Sequence, residues 1–211
     1  MKPYFIYLHH PFTMLVAGPT GSGKTRWITQ LISGANKFSS PQPQKITYFY
    51  GEYQSIFSSV KGVNFIKGLP ENLIEKFDGT VPEWIIIDDL MSESTNSKII
   101  SELFTKGSHH RNLSVILIVQ NFFTRGKESR NISLNSQYIV LFKNPRDQSI
   151  ITSIGRQMLP GKVSKLQAIY EDATSAPYSY LFVDLKPETP MEVRFLSNVL
   201  GEKDYITTYL V

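Results

Sequence analysis

Apolar residues in this chain fall into two kinds of run. The first is short and unbroken: Thr13–Ala17, Trp84–Ile87, Leu113–Val119 and Tyr138–Phe142. A strand covered on both faces needs such a run, because neither side of its pleat meets water. The second kind recurs every three or four residues, as on one face of a helix. It marks Arg26–Ile32, Ser97–Lys106 (Ile99, Ile100, Leu103 and Phe104 on one face), Gln148–Met158 and Lys162–Tyr170. β-branched and aromatic composition adds strands at Lys45–Tyr50, Val63–Ile66 and Ser179–Leu185. Tyr53–Val60 reads as a short helix, and Pro70–Phe77 as another with proline in its first turn. Gly34 is expected to cap the helix that starts at Lys24, and Gly107 the one that begins at Ser97. The proline-rich stretch 36–44 reads as a linker, and 91–96 as a polar loop. Buried strands separated by helices predict a three-layer α/β/α domain with a mostly parallel sheet. One domain is expected over residues 1–211, with its core from about 11 to 185 and a C-terminal strand or tail over 186–211.

Composition narrows this little. Hydrophobic content of 41% and charged content of 19% are ordinary for a chain with a real core. A net charge of +4 permits nucleic-acid binding without requiring it. The absence of cysteine excludes disulfides and thiolate metal sites, and fits a reducing compartment. Met1–Leu8 is too short and too aromatic for a signal peptide. The longest apolar stretch, Val115–Val119, is far below the roughly 20 residues of a membrane span. An intracellular setting without membrane contact is therefore expected. His9-His10 and His109-His110 lie far apart in sequence, and no carboxylate completes either pair at ligand spacing. They read as solvated or packing histidines rather than metal ligands.

Chemistry enters at Gly18-Pro19-Thr20-Gly21-Ser22-Gly23-Lys24-Thr25. This octet fits the P-loop pattern G-x-x-x-x-G-K-[ST], and it lies between an expected strand and an expected helix, as the pattern requires. Its glycines let successive N–H groups curl inward around phosphate, and the helix start adds unpaired N–H groups and a positive dipole end. Lys24 is expected on the β- and γ-phosphates of ATP, and the Thr25 hydroxyl on Mg²⁺. Asp88-Asp89 ends the strand Trp84–Ile87, where open α/β sheets bind ligands. The pair resembles a Walker B motif, with Asp88 in the Mg²⁺ shell and Asp89 orienting or deprotonating the attacking water. Leu113–Val119 is expected between the two motif strands, as in the additional-strand class of P-loop ATPases. Gln120 would then touch the γ-phosphate or the lytic water; capping a loop is its plainer alternative. The segment Phe122–Arg130 combines aromatic residues with Arg125, Lys127 and Arg130, a composition suited to a nucleic-acid backbone and equally to an anchored surface loop.

Taken together, Gly18–Thr25, Trp84–Leu90 and His109–Gln120 resemble the FtsK–HerA superfamily of DNA-pumping ATPases. The nearer likeness is to genome-packaging ATPases of poxviruses and other large DNA viruses, virophages, and Maverick/Polinton-type or adintovirus-like elements. Leu103–Val115, Gln120-Asn121, Ser133–Ser136 and Phe142–Asp147 carry much of it. The resemblance implies a homo-oligomeric ring that hydrolyses ATP between subunits and moves double-stranded DNA into a capsid. It implies a capsid or portal-like partner, and a place in the infected cell (a virus factory or the nucleus) or in association with the virion. It also implies an arginine finger supplied in trans, for which Arg111 is the first candidate and Arg130, Arg146 and Arg156 remain open. Many relatives end the second motif in Asp-Glu, where this chain has Asp88-Asp89. Two other functions stay open: a small-molecule P-loop kinase, for which Gly155-Arg156-Gln157 makes a poor lid, and a non-catalytic nucleotide-gated assembly factor.

Overall fold

The computed structural model describes residues 5–90, 94–108, 111–120, 127–201 and 203–211. Its strands are β1 (Leu8–His9), β2 (Thr13–Ala17), β3 (Ser39–Ser40), β4 (Lys45–Tyr50), β5 (Asn64–Lys67), β6 (Glu83–Asp88), β7 (Leu113–Val119), β8 (Tyr138–Phe142), β9 (Tyr180–Asp184), β10 (Phe195–Ser197) and β11 (Thr207–Tyr209). Its α-helices are α1 (Lys24–Ser33), α2 (Ala35–Phe38), α3 (Ser94–Glu102), α4 (Lys127–Leu134), α5 (Ser149–Met158) and α6 (Val163–Ala173). Among the described residues the main sheet has nine strands in the order β11-β10-β9-β8-β2-β7-β6-β4-β5. From β8 to β5 every pairing is parallel; β9, β10 and β11 continue the sheet antiparallel.

The unbroken apolar runs are explained by this burial. Side chains of β6 alternate between two layers. Trp84 and Ile86 pack with Trp27, Ile28 and Leu31 of α1. Ile85 and Ile87 pack with Ile100 of α3, Ile132 of α4, Ile154 of α5 and Leu166 of α6. Helices therefore cover both faces, and every residue of β2, β6, β7 and β8 is buried. Removing such a side chain from water contributes roughly 1.5–3 kcal/mol. The parallel register matches strand ends as well. Ala17 pairs with Val119 and Asp88 with Ile118, so the loops after β2, β6 and β7 leave the sheet at one edge.

Several local expectations are corrected. The stretch expected as a bare linker holds α2 and β3, and β3 pairs in parallel with β1. Phe38 is buried and folds back against Gly34, where a Cβ would lie 2.3 Å from its ring. Gly34 caps the C-terminal end of α1 as expected, with φ −107°. Pro70–Phe77 contains only a 3₁₀ turn at Leu73–Lys76. Helix α3 begins earlier than expected, at Ser94. It runs into a π-helical turn at Leu103–Gly107 instead of stopping at Gly107. Residues 186–211, expected as a strand or tail, contribute β10 and β11 and bury Phe195, Leu196, Val199 and Leu200.

At the opposite edge His10 fastens the loop before β2 to β7. Its Nε2 lies 2.9 Å from Asn112 Oδ1 and 3.1 Å from the Asn112 carbonyl, both acceptors, so Nε2 carries the proton. Nδ1 accepts from Ser114 Oγ at 2.6 Å, and Ser114 Oγ in turn accepts from the Phe12 N–H. Burial lowers the His10 pKa below 6.5, and the Asn112 hydrogen bonds only partly oppose it. The neutral ring's contribution to stability is full above 6.5 and is lost as pH falls through the lower folded value. Thermal melts from pH 7.5 to 5 are expected to show a falling Tm, with a shallower slope in His10→Gln. Equal slopes in the two proteins would contradict this assignment. The other histidine pair, His109-His110, lies outside the described residues.

Candidate active site

The loop after β2 is shaped by contacts that few side chains would allow. A Cβ on Gly18 would lie 2.6 Å from Phe142 Cβ and 2.8 Å from Ser22 Oγ. Gly23 adopts φ 104° and starts α1, accepting the Trp27 N–H at 3.0 Å. No side chain caps α1, so the N–H groups of its first turn have no acceptor within the helix. The Gly18 N–H donates to the Val119 carbonyl at 3.3 Å, which ties the loop to the end of β7. Lys24 folds over the loop and donates to the Gly18 and Pro19 carbonyls. Burial lowers its pKa, and the facing charges of Asp88 and Asp89 push the other way.

Asp88 and Asp89 are adjacent in sequence but differ in setting. Asp88, the last residue of β6, is 7% exposed. It accepts the Tyr48 hydroxyl at 2.7 Å. Burial raises its pKa, opposed by the Tyr48 hydrogen bond and by Lys24. Asp89 is exposed and adopts a left-handed φ of 56°. Its N–H donates to the Ile118 carbonyl at 3.2 Å, and its carboxylate accepts Gln120 Nε2 at 2.9 Å. The turn thus points one carboxylate into the protein and leaves the other at the mouth of the site beside Gln120.

These residues converge on a cavity of about 280 Å³. Thr20, Gly21, Lys24, Thr25, Asp88, Asp89 and Gln120 line it, joined by Gly51, Glu52 and Gln54 from the segment after β4. An ammonium, unpaired helix N–H groups, a hydroxyl and two carboxylates suit a polyphosphate with a divalent cation. Among the described residues no three His, Asp or Glu side chains gather into a metal site.

Tyr48, Glu52 and Gln54 were not anticipated from the sequence. Tyr48 lies forty residues before Asp88, and only the pairing of β4 with β6 brings the two together. Packed against Phe57 and Phe65, its ring is fully buried and held in place. Burial and the Asp88 charge push its pKa far up, so the hydroxyl keeps its proton and acts as a donor to Asp88. Tyr48 is a positioning residue. Loss of such a partner to a metal ligand typically weakens metal affinity by about 10- to 100-fold. With Asp88 as the Mg²⁺ ligand expected from the sequence, the Mg²⁺ concentration for half-maximal hydrolysis is expected to rise by about tenfold in Tyr48→Phe. A Mg²⁺ titration of activity checks this, and an unchanged midpoint would contradict it.

The remaining candidates do not join the cavity. Arg111 precedes β7, so the seven residues of that strand separate it from Gln120 by about 20 Å. It is half-buried, and its Nη1 donates to the Phe77 carbonyl at 2.9 Å. Lys127 and Arg130, expected on a loop, are exposed on α4 and do not line the cavity. Arg125 lies outside the described residues. Arg146 is exposed in the turn after β8, at the same edge as the P-loop, and Arg156 is exposed on α5. Among the described residues no helix is long and apolar enough to cross a membrane.

Solved structures with similar folds exist. The genome packaging NTPase B204 from Sulfolobus turreted icosahedral virus 2, solved in complex with ATP-gammaS, matches over 84% of this chain and 94% of its own. The two are 13% identical, with a TM-score of 0.50. The cytoplasmic domain of the Thermomonospora curvata Type VII secretion ATPase EccC matches over 87% of this chain at 15% identity and a TM-score of 0.56. The match spans 25% of that longer chain. No protein-family model and no curated protein matches. At these identities the likeness is one of fold: the chain has the α/β/α fold of RecA-like P-loop ATPases, with β7 between the P-loop strand and the strand that ends in Asp88.

Proposed function

We propose that this chain is an ATPase that drives double-stranded DNA into a capsid as a ring of identical subunits. The observation that carries the hydrolytic part is the convergence of Lys24, Thr25, Asp88, Asp89 and Gln120 on one cavity. The DNA part rests on the motif resemblance described above and is consistent with the fold shared with a genome packaging NTPase.

Each residue has a task that follows from its setting. Lys24 moves from the loop carbonyls to the β- and γ-phosphates, which replace neutral acceptors with charged ones. Thr25 and Asp88 present a hydroxyl and a carboxylate, the hard oxygen donors that Mg²⁺ takes. Held there with the triphosphate, Mg²⁺ would supply neutralisation of the phosphate charge. Asp89, exposed at the cavity mouth, orients the attacking water and takes its proton as the bond to the leaving ADP breaks. The Gln120 amide holds Asp89 and stands where it can sense the γ-phosphate.

A ring explains why Arg111 lies far from its own cavity. A head-to-tail interface joins two different surfaces of neighbouring copies, so the Arg111 edge of one subunit can face the cavity of the next. One of its guanidinium donors is held by the Phe77 carbonyl, which leaves others for phosphate. Arg111→Ala is expected to bind ATP normally and to lose about 10³-fold or more in hydrolysis. Mixing it with Lys24→Ala subunits is expected to restore some sites, and no rescue at any ratio would remove Arg111 as the finger. The function itself is tested by steady-state ATP turnover, which is expected to rise with added double-stranded DNA. Lys127 and Arg130, with Arg125, are the proposed DNA contacts, so their combined substitution by alanine is expected to reduce this stimulation.

A further inference from the structure

A water that attacks phosphorus carries two hydrogens. Both must point away from the γ-phosphate so that a lone pair faces it in line with the leaving oxygen. One hydrogen has its acceptor in Asp89, proposed above to take the proton. The other needs an acceptor too. Beside Asp88 and Asp89, one more carboxylate lines the cavity among the described residues, that of Glu52.

The sheet sets the place of Glu52. β4 pairs with β6 so that Tyr50 stands opposite Asp88. The chain beyond Tyr50 therefore leaves the sheet beside the turn that carries Asp89. The two segments touch at the next residue: a Cβ on Gly51 would lie 3.6 Å from Leu90 Cδ2 and 3.7 Å from the Asp89 carbonyl oxygen. Glu52 follows directly, at the same mouth of the cavity. Its segment is held at both ends. The Tyr50 carbonyl accepts the Gly68 N–H at 2.9 Å, and the Gln54 carbonyl accepts the Phe57 N–H at 3.0 Å, opening a 3₁₀ turn at Ser55–Ser59. Between these anchors the Tyr53 ring packs edge-on against Tyr50 and Phe57, with centroids 6.0 and 5.6 Å away. Tyr53 is thus spent on the aromatic cluster, while its neighbours Glu52 and Gln54 line the cavity.

The three carboxylates are also differently engaged. Asp88 accepts the Tyr48 hydroxyl, and Asp89 accepts the Gln120 amide. Glu52 is exposed, and its carboxylate makes no hydrogen bond or ion pair with another described residue. Glutamate also carries its carboxylate one methylene farther from the backbone than aspartate, which suits a group reaching in from the neighbouring strand end.

We infer that Glu52 is a catalytic residue that aims the attacking water, by accepting the hydrogen that Asp89 does not take. The inference rests on ATP hydrolysis in this cavity as proposed above. As the water oxygen bonds to the γ-phosphorus, the bond from that phosphorus to ADP breaks and its electron pair leaves with ADP. One proton passes to Asp89. The second hydrogen stays on the product phosphate, hydrogen-bonded to Glu52.

Steady-state ATP turnover of the full-length protein, read as kcat and KM beside a thermal melt, tests this. Glu52→Ala is expected to lower kcat by about 10²-fold with KM within about twofold of wild type, because a misaimed nucleophile slows the chemistry and leaves ATP binding alone. Glu52→Gln keeps an acceptor oxygen on the same stem, and is expected to recover to within about tenfold of wild type. Both variants are expected to melt with the wild type, since Glu52 is exposed. A wild-type kcat in Glu52→Ala would overturn the inference and leave the ATPase reading standing. So would a raised KM at wild-type kcat, which would make Glu52 a nucleotide-binding residue. A glutamine variant as slow as the alanine one would make charge the requirement, and would overturn the aiming role as well. Absence of ATP turnover in the wild type would overturn the ATPase reading and this inference with it.

Discussion

Replacing Lys24 with alanine is expected to abolish ATP hydrolysis, a fall of about 10³-fold or more, while the protein stays folded. Among the described residues the ammonium is the one side-chain cation that lines the cavity, and the expected loss follows from removing it from the γ-phosphate. Its structural contribution is small by comparison. The Gly18 and Pro19 carbonyls it binds belong to a partly exposed loop, and losing such hydrogen bonds costs about 0.5–1.5 kcal/mol each. That is a modest part of the 5–15 kcal/mol typical of a folded domain. Phosphate release measured beside a thermal melt separates the effects. A variant that keeps a tenth of wild-type turnover would show that Lys24 is not the phosphate cation.

Asp88→Asn is expected to combine lost activity with unchanged or higher stability. Asparagine matches the shape of aspartate, and its carbonyl oxygen still accepts the Tyr48 hydroxyl. It removes a buried charge that stands next to Asp89. Since burial raises the Asp88 pKa, its ionised form weighs against folding at neutral pH, and a neutral amide relieves that cost. Hydrolysis is expected to fall by about 10²- to 10³-fold, because a charged Mg²⁺ ligand is lost. The pairing of lower activity with a level or raised Tm marks a group kept for chemistry rather than for the fold. A Tm lower by several degrees, or near-normal turnover, would contradict this role.

Much of this site is legible in the sequence because its parts are local. The P-loop octet and Asp88-Asp89 are contiguous, and the strands before them stand out because burial on both faces demands unbroken apolar runs. Gln120 follows the same logic at the end of β7, although its contact with Asp89 needs the register of β7 on β6. Parts that depend on register or on brief elements are hidden. Tyr48 reads as one aromatic residue among several in Lys45–Tyr50, and nothing local ties it to Asp88. Helix α2 and strand β3 have four and two residues, below the length at which periodicity shows. Helix α4 is largely polar and buries little besides Ile132, so Lys127 and Arg130 read as part of a loop. Glu52 lies past the end of β4, and only the pairing of β4 with β6 sets it beside the Asp89 turn.

The most direct test of a DNA motor is displacement of a third strand from a triplex on linear double-stranded DNA. With the assembled protein and ATP, the third strand is expected to be released at a rate that follows ATP turnover. Lys24→Ala, or ATP-gammaS in place of ATP, is expected to leave the triplex intact. ATP hydrolysis at a rate indifferent to DNA, with the triplex untouched, would contradict translocation and leave an ATPase with a different task.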